Sequence, residues 1–227
     1  FNAFLFLFSQ SVVFSLLKLK IRQGIILMVM PSLIFMFLPY TESLFYFSLT
    51  LIIVGIKKDK FSFVLVGFLI ASMTRPAYSI LFPAYLLCQI IIGKSFIHGV
   101  KKTLLVFLVL GLGVLIVNYI QFIDTGTWFG FIKAQSNPAW DNKLGVPSLP
   151  LTTWADFPAK PIDAFSLMLG AFSFIILLQY IRNRYTNGIF DSNNEIAYFS
   201  LFYILGISIA VLLFREGVVY SLNRFVL

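Results

Sequence analysis

KKTLLVFLVLGLGVLIVNYIQ, residues 101–121, decides the fold class. After the two lysines, residues 103–121 carry no charge, and polar side chains are confined to Thr103, Asn118, Tyr119 and Gln121. A helix rises about 1.5 Å per residue, so about 20 mostly apolar residues cross a hydrocarbon core of about 30 Å. Working outward, residues 163–181 and 196–214 have the same length and character. Segments 1–17, 24–40 and 77–93 suffice at the short end of the range. Segments 44–56 and 61–73 are long enough only when flanking polar residues enter the membrane. The expected architecture is all-α, a polytopic transmembrane helix bundle of eight spans, with 1–227 forming a single transmembrane domain.

Composition agrees with that reading. Hydrophobic residues make up 59% of the chain and charged residues 11%, against about 25% charged in a soluble domain. Cys88 is the single cysteine and lies in an apolar segment, so no intrachain disulfide can form. The net charge of +8 does not point to nucleic acid, because the basic residues sit in short loops between apolar runs. Every second loop is the basic one. Lys18, Lys20, Arg22, Lys57, Lys58, Lys60, Lys94, Lys101, Lys102, Arg182 and Arg184 face only Asp59, Asp191 and Glu195. In the other loops Arg75, Lys133, Lys143, Lys160, Arg215 and Arg224 are balanced by Glu42, Asp124, Asp141, Asp156, Asp163 and Glu216. The Lys/Arg bias assigns the first set to the cytoplasm. The chain opens at Phe1 inside an apolar run and closes on Arg224-Phe225-Val226-Leu227 as though beginning another helix, so it reads as truncated at both ends.

The residues able to carry chemistry fall on the outer side of this topology. In PYTESLF, residues 39–45, the short third span draws Glu42 to the membrane edge. A charge at that depth costs about 2.5–3.5 kcal/mol on insertion scales and faces a cavity or a partner; the plainer alternative is a solvated loop carboxylate. In MTRPAY, residues 73–78, the same argument places Arg75 shallowly in the membrane, ahead of Pro76 as a helix-starting proline. An arginine fork suits bidentate phosphate or carboxylate recognition. It could equally hold helices together by pairing with Glu42, and the two roles are compatible.

The long loop 122–162 contains all three tryptophans, Trp128, Trp140 and Trp154, and five prolines. Trp128, Phe131 and Ile132 share one helical face while Lys133 points away, which fits a short interfacial helix. An aromatic anchor explains the tryptophans, but not the polar cluster of Lys133, Gln135, Trp140 and Asp141. The last outer segment again presents an arginine, Arg224, near a membrane entry, and the lone His98 reads as a solvated residue of the basic loop at 94–102. No His/Cys/carboxylate group has metal-ligand spacing, and neither a Gly-rich phosphate loop nor a Ser-His-Asp arrangement is present. No cofactor is implied, and a divalent metal is left open.

Four segments, in order, resemble the bacterial relatives of GPI mannosyltransferase 2, the PIG-V-type branch of the GT-C glycosyltransferases. PYTESLF is similar to that family's PYSESLF turn, and MTRPAY to its TRP-x-G turn, with Ala77-Tyr78 where small residues are usual. GTWFGFIKAQSNPAW resembles its GDPLAFLKAQ…W loop through Phe131, Lys133, Ala134, Gln135 and Trp140, with Thr127-Trp128 in place of Asp-Pro. SLNRF resembles the closing S-x-x-R-Y/F element through Ser221, Arg224 and Phe225. The resemblance runs from about Pro31 to Arg224.

It implies a GT-C-like membrane enzyme, mannosyltransferase-like, of the bacterial cytoplasmic membrane with its active face extracytoplasmic. Its partners would be a polyprenyl-phosphate sugar donor, a lipid-linked or surface glycan acceptor and membrane lipids. Tyr40, Glu42, Arg75, Lys133, Gln135, Trp140 and Arg224 would bind substrate. The family's catalytic base is an acidic residue of the first outer loop, which would precede Phe1, so the base is unassigned. The rivals are a transporter or flippase for lipid-linked saccharides, with pathway charges on both sides of the midplane or repeated broken helices, and a non-catalytic membrane subunit.

Overall fold

The computed structural model describes residues 1–23, 34–37, 41–92, 96–130, 133, 160–187 and 192–214. Its elements are α1 (Asn2–Leu17), α2 (Ile34–Phe37), α3 (Glu42–Lys57), α4 (Phe61–Thr74), α5 (Tyr78–Ile92), α6 (Phe96–Thr125), α7 (Lys160–Asn187) and α8 (Ser192–Phe214). Among the described residues all regular structure is helical. Three helices contain stretches long and apolar enough to cross a membrane, Gly99–Thr125, Ala164–Asn183 and Asn194–Val211, while α1, α4 and α5 are apolar but shorter. Of the expected span at 24–40, only 34–37 lies within the described residues.

The helices occupy the apolar runs, but the longest ones outrun them. α6 begins at Phe96, so most of the stretch taken as a basic loop at 94–102 is helix, and it ends at Thr125 inside the expected loop 122–162. α7 likewise starts at Lys160. Hydropathy marks only the part of a helix that lipid tails surround. Lys101, Lys102, Arg182 and Arg184 are good helix formers, so the backbone continues helical beyond it. At about 1.5 Å per residue, the 30 residues of α6 exceed the hydrocarbon thickness.

Two compact units divide the chain. The first comprises Phe1–Gly113 and Ile189–Phe199, the second Val114–Gly188 and Ser200–Leu227. In the first, α1 closes at Lys18 in the left-handed conformation, φ 51°, with the Leu19 N–H returning to the Phe14 carbonyl. The α3–α4 turn repeats the device. Asp59 takes φ 50°, the Lys60 N–H bonds the Gly55 carbonyl and the Asp59 N–H that of Ile56. Aspartate is among the few side chains that tolerate this region.

That turn folds α3 and α4 into an antiparallel hairpin. A Cβ on Gly67 would stand 2.7 Å from the Ser48 carbonyl oxygen and 2.7 Å from Ile52 Cγ1; one on Gly55 would stand 2.6 Å from Val64 Cγ2. The helices therefore meet backbone to backbone, as small residues permit in membranes where no hydrophobic drive acts between helices. Gly113 of α6 is pressed in the same way against Ser72 of α4. Around this contact lie the wholly buried Ile52, Phe68, Leu81, Cys88 and Val106. Edge-on ring contacts join Phe68 to Tyr85 at 5.4 Å and Tyr85 to Phe199 at 6.4 Å.

The second unit is sealed by a seam of small residues. Ser166, Gly170 and Ser173, all buried, recur at helical spacing on α7 and are followed by the buried Leu177. A Cβ on Gly170 would stand 2.5 Å from Ser208 Oγ of α8. The opposite character marks the outside of the helices. Leu104, Leu108, Leu112 and Leu115 of α6, and Phe172, Ile175 and Leu178 of α7, are all about half exposed. Apolar surface of this extent is covered by lipid or by a partner. Together with the three helices long and apolar enough to cross a membrane, it is consistent with a helical membrane protein.

Candidate functional site

Glu42 and Arg75 lie equally far along the chain from the Lys58–Asp59 turn, so antiparallel helices bring them to the same level. There the Arg75 guanidinium Nη1 stands 3.4 Å from Glu42 Oε1, with side chains 13% and 4% exposed. Each end is shaped locally. Glu42 opens α3, where the helix dipole favours a carboxylate. Arg75 follows α4 in extended backbone, φ −149° and ψ 147°, as a residue before proline must. Pro76 lies in the turn before α5 and not in its first turn, its carbonyl accepting from the Ser79 N–H. Of the two sequence readings of Glu42, the solvated loop carboxylate is excluded by its burial.

A polar seam adjoins the pair. Ser43, Tyr46 and Thr50 recur on α3 at the spacing of one helix face, and Tyr46 turns that face toward α1. Its ring packs 5.5 Å from Phe6, and its hydroxyl donates to the Gln10 amide oxygen. Gln10 is 5% exposed and Ser43 0%. The Thr50 hydroxyl is satisfied by the Tyr46 carbonyl at 3.0 Å, whereas the Ser43 Oγ makes no hydrogen bond among the described residues. A buried hydroxyl left so costs about 1–3 kcal/mol.

At the far end of α5 from Arg75, the Gln89 amide nitrogen donates to Glu195 Oε1 at 2.8 Å, and the Cys88 thiol to the Glu195 carbonyl at 3.4 Å. Sequence reading counted Glu195 as a loop charge. It is helical, within α8, because Ser192-Asn193-Asn194 start that helix ahead of the apolar run. Lys102 Nζ of α6 lies 5.7 Å from the Phe61 ring. Gln10 and Gln89 went unremarked, although a polar side chain inside an apolar run is itself a signal in a membrane segment.

Lys133 is exposed and belongs to the second unit, its N–H bonding the Phe129 carbonyl at 3.2 Å. Ahead of it Gly126 and Phe129 take positive φ, and Trp128 stacks on Phe122 of α6 at 5.0 Å. Of the expected interfacial helix, Gly130 and Lys133 are described as helical; Phe131 and Ile132 lie outside the described residues. Tyr40, Gln135, Trp140 and Arg224 also lie outside them. Thus of seven expected binding residues the structure brings Glu42 and Arg75 together, describes Lys133 within the other unit, and leaves the remaining four outside the described residues. Among the described residues, no group of three or more His, Cys, Asp or Glu is placed to hold a metal. Comparison with protein-family models, curated proteins and solved structures found no match.

Proposed function

We propose that this chain belongs to a membrane glycosyltransferase, mannosyltransferase-like, that takes a sugar from a polyprenyl-phosphate carrier and transfers it to a lipid-linked or surface glycan. The observation that carries the reading is the Glu42–Arg75 pair, a guanidinium held at the end of a short helical hairpin by a buried carboxylate. A lipid-borne phosphate approaches through the bilayer and needs a cation at shallow depth. The planar guanidinium, with five N–H donors, suits bidentate contact with phosphate oxygens. In transfer, an acceptor hydroxyl attacks the anomeric carbon, the carbon–oxygen bond to phosphate breaks, and the hydroxyl proton ends on the departing phosphate. The electron pair leaves with the phosphate, and a fixed cation in a water-poor site stabilises the charge that develops. Arg75→Lys in the full-length enzyme is expected to lose most transfer of radiolabelled sugar in membranes while accumulating normally. A point charge cannot reproduce the bidentate fork, and parent-level transfer by Arg75→Lys would remove the phosphate role.

The topology that goes with this function has eight spans, a GT-C-like arrangement and the pair on the extracytoplasmic side, supported by the alternation of basic loops. In a Cys88→Ala background, cysteines placed at Lys58 and at Thr127 should label oppositely with an impermeant maleimide in intact cells, Thr127 from outside. Labelling of both from one side would overturn the arrangement.

One observation favours a transporter or flippase of lipid-linked saccharides instead. The Gln89–Glu195 contact places polar groups at the opposite end of α5 from Arg75. Purified protein in liposomes that moves a lipid-linked sugar between leaflets, without cleaving it, would support that second reading.

A further inference from the structure

Buried polar side chains between membrane helices commonly serve as glue, each satisfied by its neighbour or by its own backbone. Ser9, Ser48, Thr50 and Ser72 fit this pattern, each hydroxyl bonding a carbonyl three or four residues back. Ser43 and Gln10 do not. The Ser43 hydroxyl has no hydrogen bond among the described residues, though the side chain is fully buried. Gln10, 5% exposed, uses its amide oxygen for Tyr46, and no hydrogen bond is made by its amide nitrogen among the described residues. Both lie along the α1–α3 seam, and Ser43 is next in sequence to Glu42. A fully buried hydroxyl without a hydrogen bond, next in sequence to Glu42, and about one turn along α3 the Gln10–Tyr46 contact, whose amide nitrogen makes no hydrogen bond among the described residues, form a set suited to a ligand that both donates and accepts.

From this placement we infer that the α1–α3 seam, through Ser43, Gln10 and the Tyr46 hydroxyl, is a saccharide subsite that holds sugar hydroxyls next to the Arg75 phosphate position. This rests on the donor-binding reading above and deepens it, for it assigns sugar recognition to residues separate from the phosphate-binding arginine. Sugar hydroxyls suit these partners because each both donates and accepts, as do Ser43 and Tyr46, while the Gln10 amide supplies donors. A lipid tail would leave the Ser43 hydroxyl and the Gln10 amide nitrogen without a hydrogen bond.

The test uses full-length protein in lipid nanodiscs and three probes: citronellyl phosphate, citronellyl phosphoryl mannose and octyl mannoside. Ser43→Ala and Gln10→Leu should each weaken a sugar-bearing probe roughly fivefold to tenfold, the loss of about one hydrogen bond, with citronellyl phosphate binding unchanged. Tyr46→Phe should act in the same direction. Thr50→Val, in the same seam but with its hydroxyl already satisfied, should change none of the three. Weakening of the phosphoryl sugar alone assigns the subsite to the donor, and weakening of octyl mannoside assigns it to the acceptor; either supports the subsite. Sugar probes bound equally by parent and variants would overturn it while the Arg75 reading stands, as would equal losses for citronellyl phosphate. Should Gln10→Leu fail to accumulate, Ser43→Ala decides the matter alone. A parent protein that binds none of the probes would overturn both readings.

Discussion

Replacing either member of the Glu42–Arg75 pair alone should destabilise the full-length protein by about 3–5 kcal/mol, because each replacement takes this partner from the other charge, Glu42 buried and Arg75 largely so. Arg75→Leu and Glu42→Leu are the informative single variants. The double variant should recover most of the loss, since a buried ion pair exchanged for apolar residues of similar volume is often neutral or stabilising. Thermal retention of monodisperse protein in detergent, measured for all four members of the cycle, gives the coupling energy directly. The double variant also separates folding from chemistry: on the proposed function it is stable but transfers no sugar. Single variants within about 1 kcal/mol of the parent would reduce the pair to the strength of an exposed salt bridge.

Gly67→Val should be the most damaging single change in the hairpin. The added Cβ meets the Ser48 carbonyl oxygen at 2.7 Å, a backbone atom that cannot swing aside, and Ile52 Cγ1 at the same distance. Overpacking of this kind costs about 1–3 kcal/mol and occasionally more, and the branched methyls add further crowding at the closest approach of α3 and α4. The expected outcome is a marked drop in folded protein recovered from membranes, with Gly67→Ala intermediate. Gly111→Ala is the matched control, because a Cβ there meets nothing within 4 Å. Equal recovery of Gly67→Val and Gly111→Ala would mean that the two helices are not so closely packed.

The positions of the helices were legible because apolar runs separated by basic residues leave little choice, and α1, α3, α4 and α5 begin and end within two residues of the segments read from sequence. Helix ends were less legible in α6 and α7, where helix-forming polar residues carry the backbone past the apolar stretch. The meeting of Glu42 with Arg75 was foreseeable as one of two options, since two charges flanking two short helices have equal sequence distances to the turn. Glu195 was misplaced because its charge was counted with a loop while its backbone follows α8. Gln10 was missed for a different reason: its significance comes from Tyr46 on another helix, and sequence spacing says nothing about which helices are neighbours.

The matched lengths of α3 and α4 bear on how the protein enters the membrane. With 16 and 14 residues they extend only about 24 and 21 Å, short of the hydrocarbon core, and each brings one charge at the same end. Threaded singly, either segment would carry an uncompensated ion toward the lipid, a burden of about 2.5–3.5 kcal/mol per charge on insertion scales. Delivered together as a hairpin, they present a neutral pair and meet at Gly55 and Gly67. Co-translational integration of this region is therefore expected to proceed two helices at a time. In a chain truncated just after Lys60, α3 should remain open to added protease, and in one extended past Pro76 it should be protected.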